Sequence, residues 1–177
     1  MQNFIRSYNF NDEAILDEIE QKIIVDWTIN NYHYFDQNGF ARCKQTLDYF
    51  DELPDVFNNI KQRIVEKENL HEYKTEPLFK DSIAYHTNGG KLHLHSDPKT
   101  DGLEHIRFNV YVQLPYIGGR PVYDGKERKL QERRYICCWA NRGSHEATMV
   151  EGDRARIIIS YGFLIPKIEV GSIIYNY

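Results

Sequence analysis

At 177 residues the chain is long enough for one domain and too short for two independent cores of roughly 150 residues each. Its 41% hydrophobic and 14% aromatic content can fill one core, which excludes disorder as the main state. Lys+Arg 22 against Asp+Glu 26 leaves a formal charge of -4, so no chain-wide basic field exists to attract nucleic acid or an anionic membrane, and neither is expected as a partner.

No window approaches 18 consecutive apolar residues, and the first eight residues lack the apolar core of a signal peptide. Cys43, Cys137 and Cys138 are odd in number and form no CxxC pair, which reads as reduced thiols and a cytoplasmic protein. In chain order, Asn11 followed by Asp12 and Glu13 reads as a helix start. Ile15, Leu16, Ile19, Ile23, Ile24 and Trp27 then recur at helical spacing. The stretch from Trp27 to Asp51 has no clear period and reads as irregular chain with one short element. Pro54 opens a second helix with Phe57, Ile60 and Ile64 on one side, ending near Asn69.

From Ser82 onward, short alternating runs are separated by turn signals such as Asn88-Gly89-Gly90, Gly118-Gly119 and Gly152-Asp153. Strands are expected near 82–86, 91–97, 106–114, 121–123, 135–140, 144–150 and 154–164, with an edge strand in 168–176. Helices first and strands afterwards predict an α+β, mainly β, single domain. Residues 1–80 form a helical support, 81–166 a β core and 167–177 an edge segment.

Alternation assigns faces. From Arg107 to Leu114 the even positions are apolar and the odd ones polar or amphipathic, so one face is core and the other wet or liganded. From Lys91 to Asp97 the two leucines share one face and His93, His95 and Asp97 the other. His95 and Asp97, two apart on a strand, sit about 6.7 Å from one another at Cα and can chelate one ion. A third ligand is needed for the two-His-one-carboxylate set that holds non-haem iron with open positions. His145 is the candidate.

A Gly152-Asp153 hairpin would place Glu151 opposite Arg154 and His145 opposite Ser160. Arg156 then lies about 13 Å along the strand from Ser160 and Arg154 about 20 Å, and only the nearer can grip the far carboxylate of a five-carbon keto-diacid chelated at the metal. Arg154 suits a surface pair with Glu151. Tyr85, Tyr111 and Trp139 read first as core aromatics, and Lys126, Arg128, Lys129, Arg133 and Arg134 as a solvated loop.

His95, Asp97, His145 and Arg156, followed in order along about Asp81 to Pro166, resemble the motif of the 2-oxoglutarate- and Fe(II)-dependent oxygenases. The strand from Ile106 to Pro115 with Gly118-Gly119 is most similar to the aspartyl/asparaginyl β-hydroxylase-like branch; a prolyl-hydroxylase-like branch is the other reading. The resemblance implies a double-stranded β-helix, a jelly-roll or cupin-like fold, with the N-terminal helices packed on one sheet. It also implies iron(II) held by His95, Asp97 and His145 as metal ligands and catalytic residues. Arg156, with Arg107 and Asn109, would bind 2-oxoglutarate. Dioxygen and 2-oxoglutarate are consumed, with ascorbate as reductant in vitro. The implied reaction is R–H + 2-oxoglutarate + O2 → R–OH + succinate + CO2, on a small molecule or an amino-acid side chain. A cupin-like metal enzyme without 2-oxoglutarate and a non-catalytic metal-containing module are the alternatives, and Arg156 distinguishes the first of them.

Overall fold

The computed structural model describes residues 8–10, 13–123 and 125–167. Sixteen elements follow the chain: β1 (Tyr8–Phe10), α1 (Glu18–Asn31), β2 (Asp36–Gln37), β3 (Arg42–Thr46), α2 (Asp55–Lys67), β4 (Lys74–Thr75), β5 (Ser82–His86), β6 (Leu92–His95), β7 (Leu103–Gln113), β8 (Ile117–Gly118), β9 (Pro121–Tyr123), β10 (Lys126–Glu127), β11 (Arg134–Trp139), β12 (His145–Ala147), β13 (Val150–Glu151) and β14 (Arg156–Pro166). The large antiparallel sheet runs β1-β11-β7-β14-β5-β3-β2, with β4 also pairing β14. A small sheet runs β10-β9-β12-β6, and β13 pairs β8. From β5 to β14 the chain keeps crossing between the two sheets, which makes the architecture a double-stranded β-helix, mainly β, with both helices on one side.

Period-two patterning explains why the large sheet can be covered on both faces. Phe108, Val110 and Val112 of β7, Ile157, Ile159 and Tyr161 of β14, and Tyr135, Cys137 and Trp139 of β11 all enter one apolar cluster with Ile24 of α1 and Phe57, Ile60 and Ile64 of α2. Each fully buried side chain of this size contributes roughly 1.5–3 kcal/mol. The alternate residues Tyr111, Ile136, Cys138 and Ile158 turn to the small sheet and close one end of the interior with Leu114 and Tyr123. Adjacent Cys137 and Cys138 therefore fall in different clusters, as their neighbouring positions require.

Three expectations are corrected. Asp17, not Asn11, starts α1: its carboxylate accepts from the Ile19 and Glu20 amides, and the Glu20 side chain accepts from the Asp17 amide. Asn11 lies outside the described residues. With the helix starting there, Ile24 and Thr28 face the core, while Ile19 and Ile23 are left exposed. Second, the Trp27–Asp51 stretch contains a full strand, β3, beside β5 in the large sheet. Third, the 144–150 and 154–164 runs do not form a hairpin. β12 pairs β6 and β9 in the small sheet, and after a left-handed Gly152 (φ +90°) the chain crosses to the large sheet as β14, between β7 and β5. A local turn signal yields here to the sheet-crossing topology, because β12 can satisfy both its edges only between β6 and β9. On β6 the face expected to be liganded is the one that lines the space between the sheets, with His93 and His95, while Leu94 is 59% exposed. The strand expected in 168–176 lies outside the described residues. α2 runs as expected, with Pro54 before its first turn and a left-handed Asn69 (φ +53°) just past its end.

Candidate metal centre

His95 ends β6, His145 begins β12, and the two are directly opposite one another in the antiparallel pair. Their rings lie 4.2 Å apart, and His95 Nε2 is 3.6 Å from Asp97 Oδ1. One donor atom from each of His95, Asp97 and His145 lies within 4.8 Å of the others. Three ligands about 2.1 Å from one ion and on one face of it are about 3.0 Å apart, so these donors would draw together by roughly an ångström or two to close on a metal.

The protons are arranged for that purpose. His95 Nδ1 is 2.8 Å from the His93 carbonyl, so it carries the hydrogen and Nε2 keeps its lone pair for the centre. His145 Nδ1 faces the Gly143 carbonyl at 3.5 Å in the same sense. Asp97 is buried, and its amide donates to the Ala140 carbonyl at 2.7 Å. Its Oδ2 lies 3.3 Å from His105 Nδ1. His105 Nε2 is 3.2 Å from Arg107 Nη1, and because a guanidinium only donates, that nitrogen must accept. The His105 proton is therefore on Nδ1, the nitrogen that faces Asp97 Oδ2, and Asp97 Oδ1 is left toward His95.

Arg107 anchors this chain. Its donors reach Ser160 Oγ (2.8 Å), the Ser160 carbonyl (3.2 Å), the Lys80 carbonyl (2.7 Å), Glu76 Oε2 (3.4 Å) and His105. All five N–H groups are engaged, so the guanidinium expected to bind a cosubstrate has no donor left for one. Asn109 does line the cavity: Ser160 Oγ donates to its Oδ1 at 2.6 Å, and its amide reaches the Tyr123 hydroxyl at 3.4 Å.

At the other end of the same cavity, of about 450 Å³, sits Arg156. It is only 5% exposed, lies 5.7 Å over the Tyr111 ring and has its Nη1 3.5 Å from the His86 ring nitrogens. No carboxylate is paired with it among the described residues, and its Nε has no hydrogen-bond partner. A buried cation with an unmet donor is costly unless an anion arrives to meet it. Burial pushes the Tyr111 and Tyr123 hydroxyls up, so they remain donors beside it. Arg154 is elsewhere: it pairs Glu132 at 2.6 Å, not Glu151, and donates to the Leu114 carbonyl. Trp139 and Tyr85 belong to the helix side, and of the three aromatics considered only Tyr111 faces the cavity.

Glu76, His86, Tyr123, Lys44 and His105 were not anticipated from sequence. The signal for His105 was present, since it occupies the same odd-numbered face of β7 as Arg107 and Asn109. Glu76 precedes the β core in a turn, where nothing local marks it.

Burial drives the histidine pKa values down. His145 falls to about 4, through burial and then the neighbouring His95; His105 falls to about 4, through burial and then Arg107. His86 lies well below 6.5, from burial and the flanking Arg156 and Arg42. These rings are neutral when folded and take up protons near pH 6.5 when unfolded, so their contribution is complete above pH 6.5 and is lost as pH falls toward 4. The urea midpoint of the metal-free protein is expected to fall steadily between pH 6.5 and 4.5, above the range in which Glu20 and Glu132, both held below 4.5, begin to protonate. A flat midpoint across that window would contradict neutral burial.

No protein-family model matches the chain, and no curated protein matches it in sequence. Solved structures do match in fold. A viral collagen prolyl hydroxylase from Paramecium bursaria Chlorella virus-1, in its 2-oxoglutarate complex, superposes with a TM-score of 0.70 at 16% identity, covering 90% of this chain and 96% of that one. A Trichoplax adhaerens prolyl hydroxylase bound to a hypoxia-inducible-factor peptide gives 0.69 at 14%, covering 90% and 84%. SnoN, a non-haem α-ketoglutarate-dependent epimerase of nogalamycin biosynthesis, gives 0.66 at 12%, covering 89% and 77%. The fold is thus the jelly roll of the 2-oxoglutarate- and Fe(II)-dependent oxygenases. At these identities the likeness is one of fold, and the structures that share it include prolyl hydroxylases.

Proposed function

We propose that the protein is a 2-oxoglutarate-dependent dioxygenase that hydroxylates an unactivated C–H bond of a small molecule or an amino-acid side chain. One observation carries the reading. A cavity that holds a His-Asp-His cluster at one place also holds a buried arginine, without a counter-charge, at another. The donor set, two neutral imidazoles and a carboxylate, suits a divalent first-row ion with positions left open.

In this reading His95, Asp97 and His145 hold iron(II) as the catalytic centre, and Arg156 receives the distal carboxylate of 2-oxoglutarate, with Asn109 on the wall beside it. When bound, iron, 2-oxoglutarate and dioxygen supply an oxidant able to remove an unactivated hydrogen, and the cosubstrate leaves as succinate and CO2; ascorbate serves as reductant in vitro. The chain's own contribution is orientation and exclusion. His105 holds Asp97 to one oxygen, the carbonyls of His93 and Gly143 select the tautomers of the two histidines, and the apolar closed end keeps water away from Arg156. Arg107 supports this arrangement from behind and does not contact the cosubstrate.

No helix among the described residues is long and apolar enough to cross a membrane. The cytoplasmic reading rests on taking Cys43, Cys137 and Cys138 as reduced thiols. The likeness to an epimerase favours a second outcome, in which hydrogen removal is followed by inversion instead of hydroxylation. Product mass separates them, since only hydroxylation adds an oxygen atom.

The test is equilibrium dialysis of 2-oxoglutarate against the protein with and without manganese(II), followed by succinate release with iron(II), ascorbate and air. Metal-dependent binding and oxygen-dependent succinate release are expected. Absence of 2-oxoglutarate binding to the metal-loaded protein overturns the proposal and leaves the cupin-like or non-catalytic reading.

A further inference from the structure

The cavity has more positive charge than the proposed cosubstrate uses. Asp97 and Glu146 are the only carboxylates lining it among the described residues, against four Arg and Lys side chains in its interior and Lys91 at its rim. Three of the four are accounted for. Arg107 is saturated. Arg42 donates from Nε to His86 at 3.2 Å and from Nη1 to Asn38. Arg156 is reserved for the keto-diacid.

Lys44 remains. It leaves the middle of β3 on the same face as Arg42, in register with Ala84, which is itself opposite Ile158 of β14. Its ammonium has no hydrogen bond or ion pair among the described residues and lies 5.2 Å above the Phe79 ring. Phe79 stacks on His105 at 6.1 Å, and His105 bonds Asp97. The ammonium is thus three contacts from a proposed metal ligand, whereas Arg156 sits on a different row of the sheet, opposite His86. Burial, then Arg107 and Arg42, lower the Lys44 pKa to about 8, against a smaller opposing pull from Asp97 and Glu76. A half-buried ammonium without an ion pair is unfavourable until an anion meets it, and the two carboxylates that act on it are already engaged, Asp97 at the candidate metal centre and Glu76 with Arg107 and the Leu78 and Phe79 amides.

We infer that Lys44 is a specificity residue that binds an oxyanion of the substrate, a carboxylate or a phosphate monoester, while the metal and Arg156 hold the cosubstrate. The inference rests on the function proposed above and narrows it to anionic small molecules or amino acids.

The test uses cobalt(II)-loaded protein saturated with 2-oxoglutarate without oxygen, titrated with N-acetyl-amino acids, with the matching neutral N-acetyl-amino-acid amides, and with O-phosphoserine against serine. The cobalt visible spectrum reports occupancy of the substrate position. At least one anionic arm is expected to bind about tenfold or more tighter than its neutral counterpart, and the arm that does so distinguishes carboxylate from phosphate. Lys44→Met should bring that ratio close to one, Lys44→Arg should keep most of it, and 2-oxoglutarate affinity should change less than about twofold in both. The inference is overturned if neutral and anionic probes bind alike, if no anionic probe perturbs the spectrum, or if the ratio survives Lys44→Met. A tenfold loss of 2-oxoglutarate affinity in Lys44→Met also overturns it, because Lys44 would then belong to the cosubstrate site. Failure of the wild-type metal-loaded protein to bind 2-oxoglutarate would instead count against the proposed function.

Discussion

Asp97→Ala is expected to lower divalent metal affinity by more than about 100-fold with the jelly roll intact, the upper end of what loss of an outer partner alone costs in such sites. The reason is that Asp97 is the one anionic donor of the cluster and its most rigid member. Its amide is tied to Ala140, the Ala140 amide is tied to the His105 carbonyl, and the His105 ring holds its second oxygen. Two neutral imidazoles, one of them 39% exposed at the mouth, are left behind. The same logic gives a graded series one residue further out. His105→Leu removes the Nδ1–H donor and leaves Asp97 free to rotate, and should weaken metal binding about 10- to 100-fold. His105→Asn, whose amide nitrogen occupies nearly the place of Nδ1, should recover most of that loss. Manganese titration followed by paramagnetic resonance, with circular dichroism to check folding, reads both. Equal affinity in Asp97→Ala and wild type would show that the ion, if bound, is held elsewhere.

Arg156→Leu is expected to weaken 2-oxoglutarate binding by roughly two to nearly four powers of ten while leaving manganese affinity nearly unchanged. Removing one member of a buried charge pair costs about 3–5 kcal/mol, and each 1.36 kcal/mol is a factor of ten. The same substitution should stabilise the unliganded protein. Arg156 is buried between His86 and Tyr111 with no carboxylate and with an unmet Nε, so an apolar side chain of similar volume relieves a desolvation cost. Stability gained together with cosubstrate binding lost is the signature of a residue kept for function against the interest of the fold. Arg156→Lys should recover only part of the affinity, because a point charge cannot donate two parallel hydrogen bonds to a carboxylate. Urea melts and dialysis on the same preparations test both signs. A destabilised Arg156→Leu with unchanged 2-oxoglutarate affinity would make Arg156 a structural residue.

Much of the site was legible because its chemistry sits on alternating strands. His95 and Asp97 share a face by spacing alone, and Arg156, Ile158 and Ser160 share the cavity face of β14 by parity. That parity holds although the hairpin expected to deliver it does not form: a strand keeps its alternation whichever neighbours it pairs with. β3 was invisible for the complementary reason. In Arg42-Cys43-Lys44-Gln45-Thr46 the inward face is charged and the outward face partly polar, so no hydropathy contrast marks the run as a strand. A strand that lines a charged cavity loses the pattern by which strands are recognised.

Local sequence, then, determined the helix-stopping and strand-alternating elements, the two-residue chelate and the parity of the arginine, because each depends on spacing within one segment. The tertiary structure alone decided that His145 meets His95 across β6 and β12, that His105 and Glu76 stand behind Asp97, and that Arg107 is saturated while Lys44 is not. These depend on which segments the sheet-crossing topology brings together. Hydrogen-bond partners and unmatched charges are properties of that assembly, and no periodicity in the chain encodes them.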